Sequence, residues 1–342
     1  MPNCIPATTM GAPKLLLPKP LTMVLTATLS FTSASVAHAA SPADSYPSKP
    51  VRLIAPFLPG AGTDITARAV AARLTERWGQ QVVVDNRPGA AGAIGVELTV
   101  NASPDGYTLC LISASHAVNS ATNTKLPYDL TKDLQAISQA TSLFYVLYVH
   151  PAVPAKSVSE LIAHAKANPG KLNFGSSGTG GLQHFAGEML NHLGGIKTTH
   201  IPYKGGAGVI TDVLGGNIQM GYGTILSLRP HIKSGRLRAL AITASKRSPS
   251  APEFPTVAEA GLPGYEVDQW YGIITSANVP RPLVDKIAVA IAEGVKSPDT
   301  AKRLAGEGSL PVGSTPDQFS AHIRSEINKW RKLAKDAQLV LN

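Results

Sequence analysis

Short apolar runs alternate with segments of helical periodicity along most of the chain, and this alternation predicts parallel α/β units. Residues 51–57 are predicted to form the first strand, and apolar residues then recur at helical spacing from Ala67 to Trp78, with charged residues on the opposite face. Thr63 or Asp64 is the expected N-cap of that helix. Further strands are predicted at residues 82–85, 107–113, 144–150, 172–175, 200–203, 218–222 and 237–244.

The chain contains two series of such units, because the alternation of strands and helices begins again after residue 150. Glycines mark the turns of the second series, so a second α/β lobe is predicted. Near the C terminus, residues 315–318 are predicted to cap a long helix whose apolar residues face the core. Those apolar residues are Phe319, Ile323, Ile327, Trp330 and Ala334.

The first 40 residues have the organisation of a secretory signal peptide. Lys14 and Lys19 precede an apolar stretch, residues 21–36, and small residues follow up to Ala39, after which or one residue later cleavage is expected. A membrane anchor is the alternative, but the apolar stretch is shorter than the ~20 residues that a spanning helix needs. Export from the cytoplasm is therefore predicted.

The composition is that of a globular protein, with 342 residues of which 44% are hydrophobic and 15% charged. This length is enough for about two domains. The net charge of +9 is spread along the chain without a basic run, so neither nucleic acid nor a membrane surface is an expected partner. Removal of the signal takes Cys4 away and leaves Cys110, which lies in an apolar run and is expected to be a buried thiol. An exported chain without internal disulfides favours the bacterial periplasm.

Motifs for enzymes and cofactors are incomplete. Residues 60–65 begin like a dinucleotide fingerprint but lack its third glycine, and no Gly-Lys-Ser/Thr phosphate loop is present. Residues 175–179 depart from a nucleophile elbow because residue 179 is threonine. No histidine has a close carboxylate partner at metal-ligand spacing. We therefore predict a protein that is not an enzyme and uses no cofactor or metal.

Two loops, residues 58–64 and 175–181, consist mainly of small residues, and each is predicted to connect a strand to a helix N-terminus. The first N–H groups of a helix are unpaired and favour negative charge, so both loops are candidate anion sites. The alternative is that the glycines only turn the chain. A helix terminus contributes about 0.3–1 kcal/mol, or ~2 when partly buried, whereas micromolar affinity needs ~8 kcal/mol. Closure of two lobes around the anion, with charge-assisted hydrogen bonds from both, would supply the difference.

The same residues resemble a known family, the periplasmic solute receptors of tripartite tricarboxylate transporters, also called Bug proteins. The matching segments are residues 46–53, 59–64, 82–89, 104–109, 175–184, 201–205 and 255–261. The resemblance implies a periplasmic-binding-protein type II fold, in which two α/β lobes enclose a ligand cleft and two interlobe crossovers lie near residues 144–150 and 268–275. It further implies one lobe from residues 41–146 with 270–342 and another from residues 147–269.

By this resemblance, a ligand carboxylate is expected between the two loops, held largely by backbone N–H groups and small hydroxyls. Phe57 is either a wall of the cleft or a packed aromatic residue at a strand end. Lys204 either neutralises a second carboxylate or is solvated, and His184 either contacts the ligand or lies at the helix surface or cap. The candidate ligand-binding residues are Phe57, Pro59, Gly60, Ala61, Gly62, Asp64, Ser113, Ser115, Ser176, Ser177, Gly178, Thr179, Gly180, His184, Tyr203 and Lys204.

The function implied by the resemblance is that of a monomeric receptor, which binds a mono-, di- or tricarboxylate and delivers it to membrane permease subunits. The sequence departs from the family at Ala61 in place of the usual glycine, at Gly208 in place of a common proline, and at Gly223. Many relatives carry an acid at this last position, where it would pair with an ammonium group, so its absence favours a plain carboxylate over an amino acid. The alternatives are a sensor of the same fold that signals to a histidine kinase, and an exported α/β enzyme.

Overall fold

Two β-sheets organise the chain from residue 45 onward. The computed structural model describes residues 11–17, 45–60, 62–306 and 308–338. Residues 11–17 have neither helix nor strand, and the rest of the predicted signal peptide lies outside the described residues. None of the described helices is both long and apolar enough to cross a membrane.

Strands and helices alternate along most of the described chain, as the hydrophobic pattern predicts. The strands are β1 (Val51–Ala55), β2 (Val82–Asn86), β3 (Thr108–Ser113), β4 (Leu134–Phe144), β5 (Val146–Val149), β6 (Asn173–Ser176), β7 (Thr199–Pro202), β8 (Met220–Gly223), β9 (Arg238–Ile242), β10 (Asp268–Ser276) and β11 (Ser309–Pro311). The helices are α1 (Gly62–Trp78), α2 (Ala93–Val100), α3 (Ala114–Thr122), α4 (Val158–Ala167), α5 (Leu182–Gly194), α6 (Gly206–Leu214), α7 (Ile225–Lys233), α8 (Arg281–Lys296), α9 (Pro298–Gly306) and α10 (Pro316–Asp336).

Both sheets are mixed. The first has the order β11-β4-β10-β3-β1-β2, in which β1 is parallel to β2 and β3 while β10 is antiparallel to β3 and β4. The second has the order β7-β6-β8-β5-β9, in which β6 is parallel to β7 and β8 while β5 is antiparallel to β8 and β9. The predicted parallel units are present as β1, β2 and β3 in the first sheet and β6, β7 and β8 in the second, and antiparallel strands are added to each. Strands β5 and β10, which arrive from the other sheet, are antiparallel to their neighbours, and the short β11 is antiparallel to β4.

The chain passes from the first sheet to the second within two residues. Phe144, the last residue of β4, pairs with Asp268 in the first sheet, whereas Val146 pairs with Gly223 in the second. The single strand predicted at residues 144–150 is therefore two strands that belong to different sheets. A continuous apolar run hides such a break, because both strands are buried.

The return crossing lies beside the outgoing one. The Tyr145 N–H donates to Thr243 Oγ1 at 2.9 Å, and the Thr243 N–H donates to the Tyr145 carbonyl at 2.8 Å. The Val267 N–H donates to the Thr243 carbonyl at 2.9 Å, immediately before β10 begins at Asp268. The two connections between the sheets are thus hydrogen-bonded to the same short segment.

In both sheets, the carboxyl ends of the parallel strands lie where the chain crosses. Ser113, at the end of β3, is opposite Tyr271 near the start of β10. Gly223, at the end of β8, is opposite Val146 at the start of β5. Because β1 is parallel to β3 and β6 is parallel to β8, the loops that follow these four strands lie on the side of the crossings. This is the edge at which open α/β sheets bind ligands.

Helix α10 packs against both halves of the core. Its start has the predicted cap: Thr315 Oγ1 accepts from the Gln318 N–H, and Gln318 Oε1 accepts from the Thr315 N–H. The helix packs on β4 and α3, and the fully buried Trp330 ring meets the Phe185 ring of α5 edge-on at 5.8 Å. The prediction that the apolar stripe of this helix faces the core is confirmed.

Cys110 lies on β3 and is fully buried, as its apolar run predicts. Burial raises the pKa of its thiol to about 12, and the thiolate is the reactive form of cysteine. We expect iodoacetamide at neutral pH to leave Cys110 unmodified in the folded protein and to alkylate it in urea, as measured by the mass of the peptide that contains it. Rapid alkylation without denaturant would contradict the assignment of Cys110 to the core.

Candidate functional site

The first loop, residues 58–64, is held from inside by a buried carboxylate. The Gly60 N–H and Arg68 Nε donate to Asp64 Oδ2, both at 3.0 Å, and Asn86 Nδ2 donates to Asp64 Oδ1 at 3.0 Å. Burial alone would raise the pKa of Asp64, but these hydrogen bonds outweigh it and hold the pKa below its ordinary value. Asp64 is thus an ionised group with its oxygens occupied. It shapes the loop, and its charge is unsuited to a direct contact with a ligand carboxylate.

The prediction of an N-cap at Thr63 or Asp64 is wrong, because helix α1 begins at Gly62 and both residues lie inside its first turn. Asp64 nevertheless accepts a backbone N–H from the preceding loop, which is the same chemistry as a cap. A Cβ atom on Gly62 would lie 2.4 Å from the Tyr271 hydroxyl of β10. Glycine therefore leaves room for the Tyr271 side chain at the start of α1. Ala61 lies outside the described residues.

A further strand-to-helix corner, from β3 to α3, lies beside the first loop. The buried Ser113 is the N-cap of α3, and its N–H donates to His116 Nδ1 at 3.1 Å, while Ser115 is half-buried in the first helical turn. The Phe57 ring meets the His116 ring edge-on at 5.6 Å. Phe57 is itself half-buried, so one side of the ring packs on the corner while another part stays accessible.

His116 is a residue of this corner that sequence reasoning missed. Burial lowers the pKa of His116 to about 4, so the ring is neutral under physiological conditions. Because Nδ1 accepts a backbone N–H, the single proton of the neutral ring is on Nε2. The available signal was its position three residues after a serine at a strand end, from which a side chain reaches back to the N-cap.

The second loop, residues 175–181, uses many of its backbone N–H groups internally. The Ser177 N–H donates to Gln183 Oε1 at 2.7 Å, the Gly178 N–H to Ser176 Oγ at 3.2 Å and the Gly180 N–H to His184 Nδ1 at 3.2 Å. The expectation that the loop presents these groups to a ligand is corrected for those three. The side chains of Ser177 and Thr179 are exposed and remain available as donors, and the first N–H groups of α5 have no acceptor inside the helix.

Two glycines give the second loop its shape. Gly178 has φ +146° and Gly180 has φ +77°, a region of backbone conformation that L-residues rarely adopt. A Cβ atom on Gly178 would meet only the Tyr203 carbonyl, at 3.8 Å. The requirement for glycine at residue 178 therefore comes from the backbone conformation and not from lack of space.

Two stacked histidine rings lie beneath the second loop. The ring centroids of His184 and His200 are 3.7 Å apart with an interplanar angle of 14°, and His200 Nε2 is 2.6 Å from Ser176 Oγ. Burial and the neighbouring His184 lower the pKa of His200 to about 4. His184 is buried, which fits a role in holding the loop better than an exposed position on the helix surface. His200 was not among the predicted site residues.

The turn after β7 supports the second loop from the side. The Tyr203 N–H donates to the Ser176 carbonyl at 2.9 Å, and the Tyr203 hydroxyl donates to Asp212 Oδ2 at 2.6 Å. The hydroxyl of Tyr203 is thus committed to α6. Lys204 is exposed, as the solvated alternative for this side chain requires.

A cavity of about 410 Å³ opens elsewhere, and His150, His164 and Lys171 form part of its wall. The wall also includes Leu172 and Ile218, which precede β6 and β8, so this cavity is at the opposite end of the second sheet from the loops. Among the described residues there is no group of three or more His, Cys, Asp or Glu side chains that would hold a metal ion.

Comparison with known families assigns the chain. A family model described as the tripartite tricarboxylate transporter family receptor matches residues 66–339. The chain belongs to this family. The resemblance of the sequence to the Bug receptors is therefore confirmed. Solved periplasmic binding proteins share the fold of the chain, so the prediction of a two-lobe α/β fold of that type is confirmed as well.

Individual receptors of known structure or sequence resemble most of the chain. Protein BugT of Bordetella pertussis is 36% identical over 296 residues, which are 86% of this chain and 91% of that protein. The structure of R. palustris Rpa4515 with adipate is 32% identical, with a TM-score of 0.77 over 86% of this chain and 98% of the other. MatC from Rhodopseudomonas palustris with bound malate is 28% identical, with a TM-score of 0.73 over 84% of this chain and 99% of the other.

Proposed function

We propose that this receptor acts in the bacterial periplasm, binds a small organic carboxylate between the first and second loops, and delivers it to the membrane permease of a tripartite tricarboxylate transporter. The observation that carries the proposal is the placement of strand-to-helix corners from both sheets on the side where the chain crosses. We further propose that residues 41–146 with 270–342 and residues 147–269 close on the ligand as two lobes. The adipate and malate bound to relatives support a carboxylate ligand.

Three helix N-termini supply the attraction for an anion in this proposal. Helices α1 and α3 begin beside the first sheet, and α5 begins beside the second. Each terminus contributes up to ~2 kcal/mol in a partly buried site, and each charge-assisted hydrogen bond adds about 1.5–3 kcal/mol. Closure of the lobes lets the helix termini and hydrogen bonds of both lobes act on one ligand. With all three termini engaged, one or two such hydrogen bonds bring the sum to the ~8 kcal/mol of micromolar binding.

The residue at the end of β8 bears on the class of ligand. Gly223 is buried and has no side chain to offer, and a Cβ atom there would lie 3.1 Å from Leu228 Cδ1. The corner between β8 and α7 therefore offers no carboxylate to a ligand ammonium group. We propose a plain carboxylate, and not an amino acid, as the ligand.

Calorimetric titration of the protein without its signal segment tests this function. We expect one or more of succinate, malate, adipate and citrate to bind, and aspartate, glutamate and the uncharged diamide of succinate to bind far more weakly. Uptake of the labelled acid by cells that lack the receptor, with and without a restored copy, then tests delivery. Absence of binding by every carboxylate would refute the receptor proposal, and preferred binding of aspartate or glutamate would refute the ligand class.

A further inference from the structure

We propose that His200 and His184 are positioning residues for the second loop, and that they hold the loop in its ligand-binding shape only while both imidazoles are neutral. The role in binding rests on the proposed function of that loop. The role in holding its shape is independent of any ligand and is tested separately below.

The hydrogen bonds of Ser176 assign the proton of His200. Ser176 Oγ is 2.9 Å from the Gly178 carbonyl oxygen, 3.2 Å from the Gly178 nitrogen and 2.6 Å from His200 Nε2. A carbonyl oxygen only accepts and a backbone N–H only donates, so the one hydroxyl proton goes to the carbonyl. His200 must then donate from Nε2. Through the serine, this histidine fixes both polar groups of Gly178.

His184 holds the next part of the loop directly. Its Nδ1 accepts from the Gly180 N–H at 3.2 Å, so Nδ1 carries a lone pair and the proton of the neutral ring is on Nε2. That proton faces Glu188 Oε1, 3.6 Å away. The two glycines with positive φ, Gly178 and Gly180, are thus each restrained by one member of the stacked pair.

Protonation opposes this restraint at His184, whereas His200 keeps its Nε2 donor when it gains a second proton on Nδ1. A second proton on His184 would occupy Nδ1 and oppose the Gly180 N–H, because both groups would then be donors. Two cationic rings with centroids 3.7 Å apart would also repel each other. The acid that faces the pair is Glu188 on the same helix, and the nearest titratable group on β8 is Tyr222, whose hydroxyl donates to the carbonyl of Ala186. One carboxylate does not balance two stacked cations.

The direction of the pH dependence follows from the environment of the pair. The Phe174 ring lies 5.1 Å from His200, and burial and His184 lower the pKa of His200 to about 4, against an ordinary value of about 6.5. At a pH above this ordinary pKa, the His200 ring is neutral whether the loop is ordered or open. At a pH between the two pKa values, only the open form takes up a proton, so the ordered loop loses stability as the pH falls.

Hydrogen exchange of the unliganded protein tests the positioning role. We compare wild type, His200→Phe and His200→Gln, because glutamine keeps a donor near the position of Nε2 but does not titrate in this range. At about pH 7.5, His200→Phe is expected to exchange the amides of Gly178 and Gly180 about tenfold faster than wild type, the equivalent of about 1.4 kcal/mol, whereas His200→Gln stays close to wild type. His192→Gln, which changes an exposed histidine of the same helix, is the control.

The neutral-ring requirement is tested by the pH profile. After correction for intrinsic exchange, protection of the loop is expected to fall between about pH 7 and about pH 5 in wild type and His192→Gln. It is expected to fall less in His200→Gln. The dissociation constants of malate and adipate should follow the same ranking among the variants, after correction for protonation of each acid.

Two results would overturn the inference. One is unchanged exchange of Gly178 and Gly180 in His200→Phe, and the other is an identical pH profile in wild type and His200→Gln. The second comparison does not depend on the folding of the phenylalanine variant. If no carboxylate binds wild type but the exchange results are as expected, the proposed function fails and the positioning role stands.

Discussion

Replacement of Gly178 by valine is expected to abolish the rise in melting temperature that a bound carboxylate, such as malate or adipate, gives the receptor. At φ +146° a valine is strained, and such strain costs about 1–3 kcal/mol. The backbone relaxes by rotating the Gly178 peptide, which separates its N–H and carbonyl from the Ser176 hydroxyl. The loop then no longer presents its donors to the ligand. A ligand at 100 times its dissociation constant stabilises the folded state by about 2.7 kcal/mol, and this stabilisation is what we expect to be lost.

The unliganded variant should remain folded, because a Cβ atom at residue 178 meets only one backbone oxygen, at 3.8 Å. Gly170→Val is the matched control, since Gly170 also has a positive φ, +73°, and open space around it, but precedes β6 and lies away from the crossings. Thermal denaturation with and without malate or adipate measures the ligand-induced shift in melting temperature of both variants. If Gly178→Val shows the full ligand-induced shift in melting temperature, the second loop is not part of the binding site.

The positions of several buried strands were predictable from the apolar runs, but most of β4 was not predicted and β10 was expected only as a crossing between the lobes. Strands β3, β6 and β8 lie within one or two residues of their predicted positions, because few alternatives exist for a short apolar run between glycines. The break between β4 and β5 was not predictable, since Phe144 and Val146 are equally apolar. Strand β11 has three residues and ends in Pro311, which gives too little pattern for a sequence-based assignment.

The two loops of the proposed site were predictable, but their hydrogen-bond network was not. Small residues before a helix indicate an anion site, yet they do not reveal which N–H groups are already bonded. Ser176 and His200 are 24 residues apart in sequence and 2.6 Å apart in space, because β6 and β7 are adjacent parallel strands. The approach of Tyr271 to Gly62 likewise depends on the order of strands in the first sheet. Such neighbours follow from topology, which a single sequence does not specify.

Buried polar groups in α10 connect the core to the crossings. Glu326 Oε2 accepts from Trp330 Nε1 at 3.1 Å and from Trp270 Nε1 at 3.4 Å, and Lys329 forms an ion pair with the same carboxylate. Trp270 belongs to β10, the strand that returns from the second sheet. One carboxylate thus ties the C-terminal helix to the returning strand, while the Trp330 ring meets α5. The packing of α10 therefore stabilises both sheets together.

Trp330→Ala is expected to lower the free energy of unfolding by about 3–5 kcal/mol, the usual cost of deleting a fully buried large aromatic ring. The side chain is fully buried, and its loss removes the contact with Phe185 and leaves a cavity between α10 and α5. Urea denaturation followed by circular dichroism measures the change.

Trp78→Ala, at a half-buried tryptophan of α1, is the control and should lower the free energy of unfolding clearly less. Trp330→Phe should recover only part of the loss, because it restores one aromatic ring but leaves part of the indole's space empty and omits the hydrogen bond to the Glu326 carboxylate, worth about 1.5–3 kcal/mol. Equal losses at the two tryptophans would show that α10 does not join the two halves of the core.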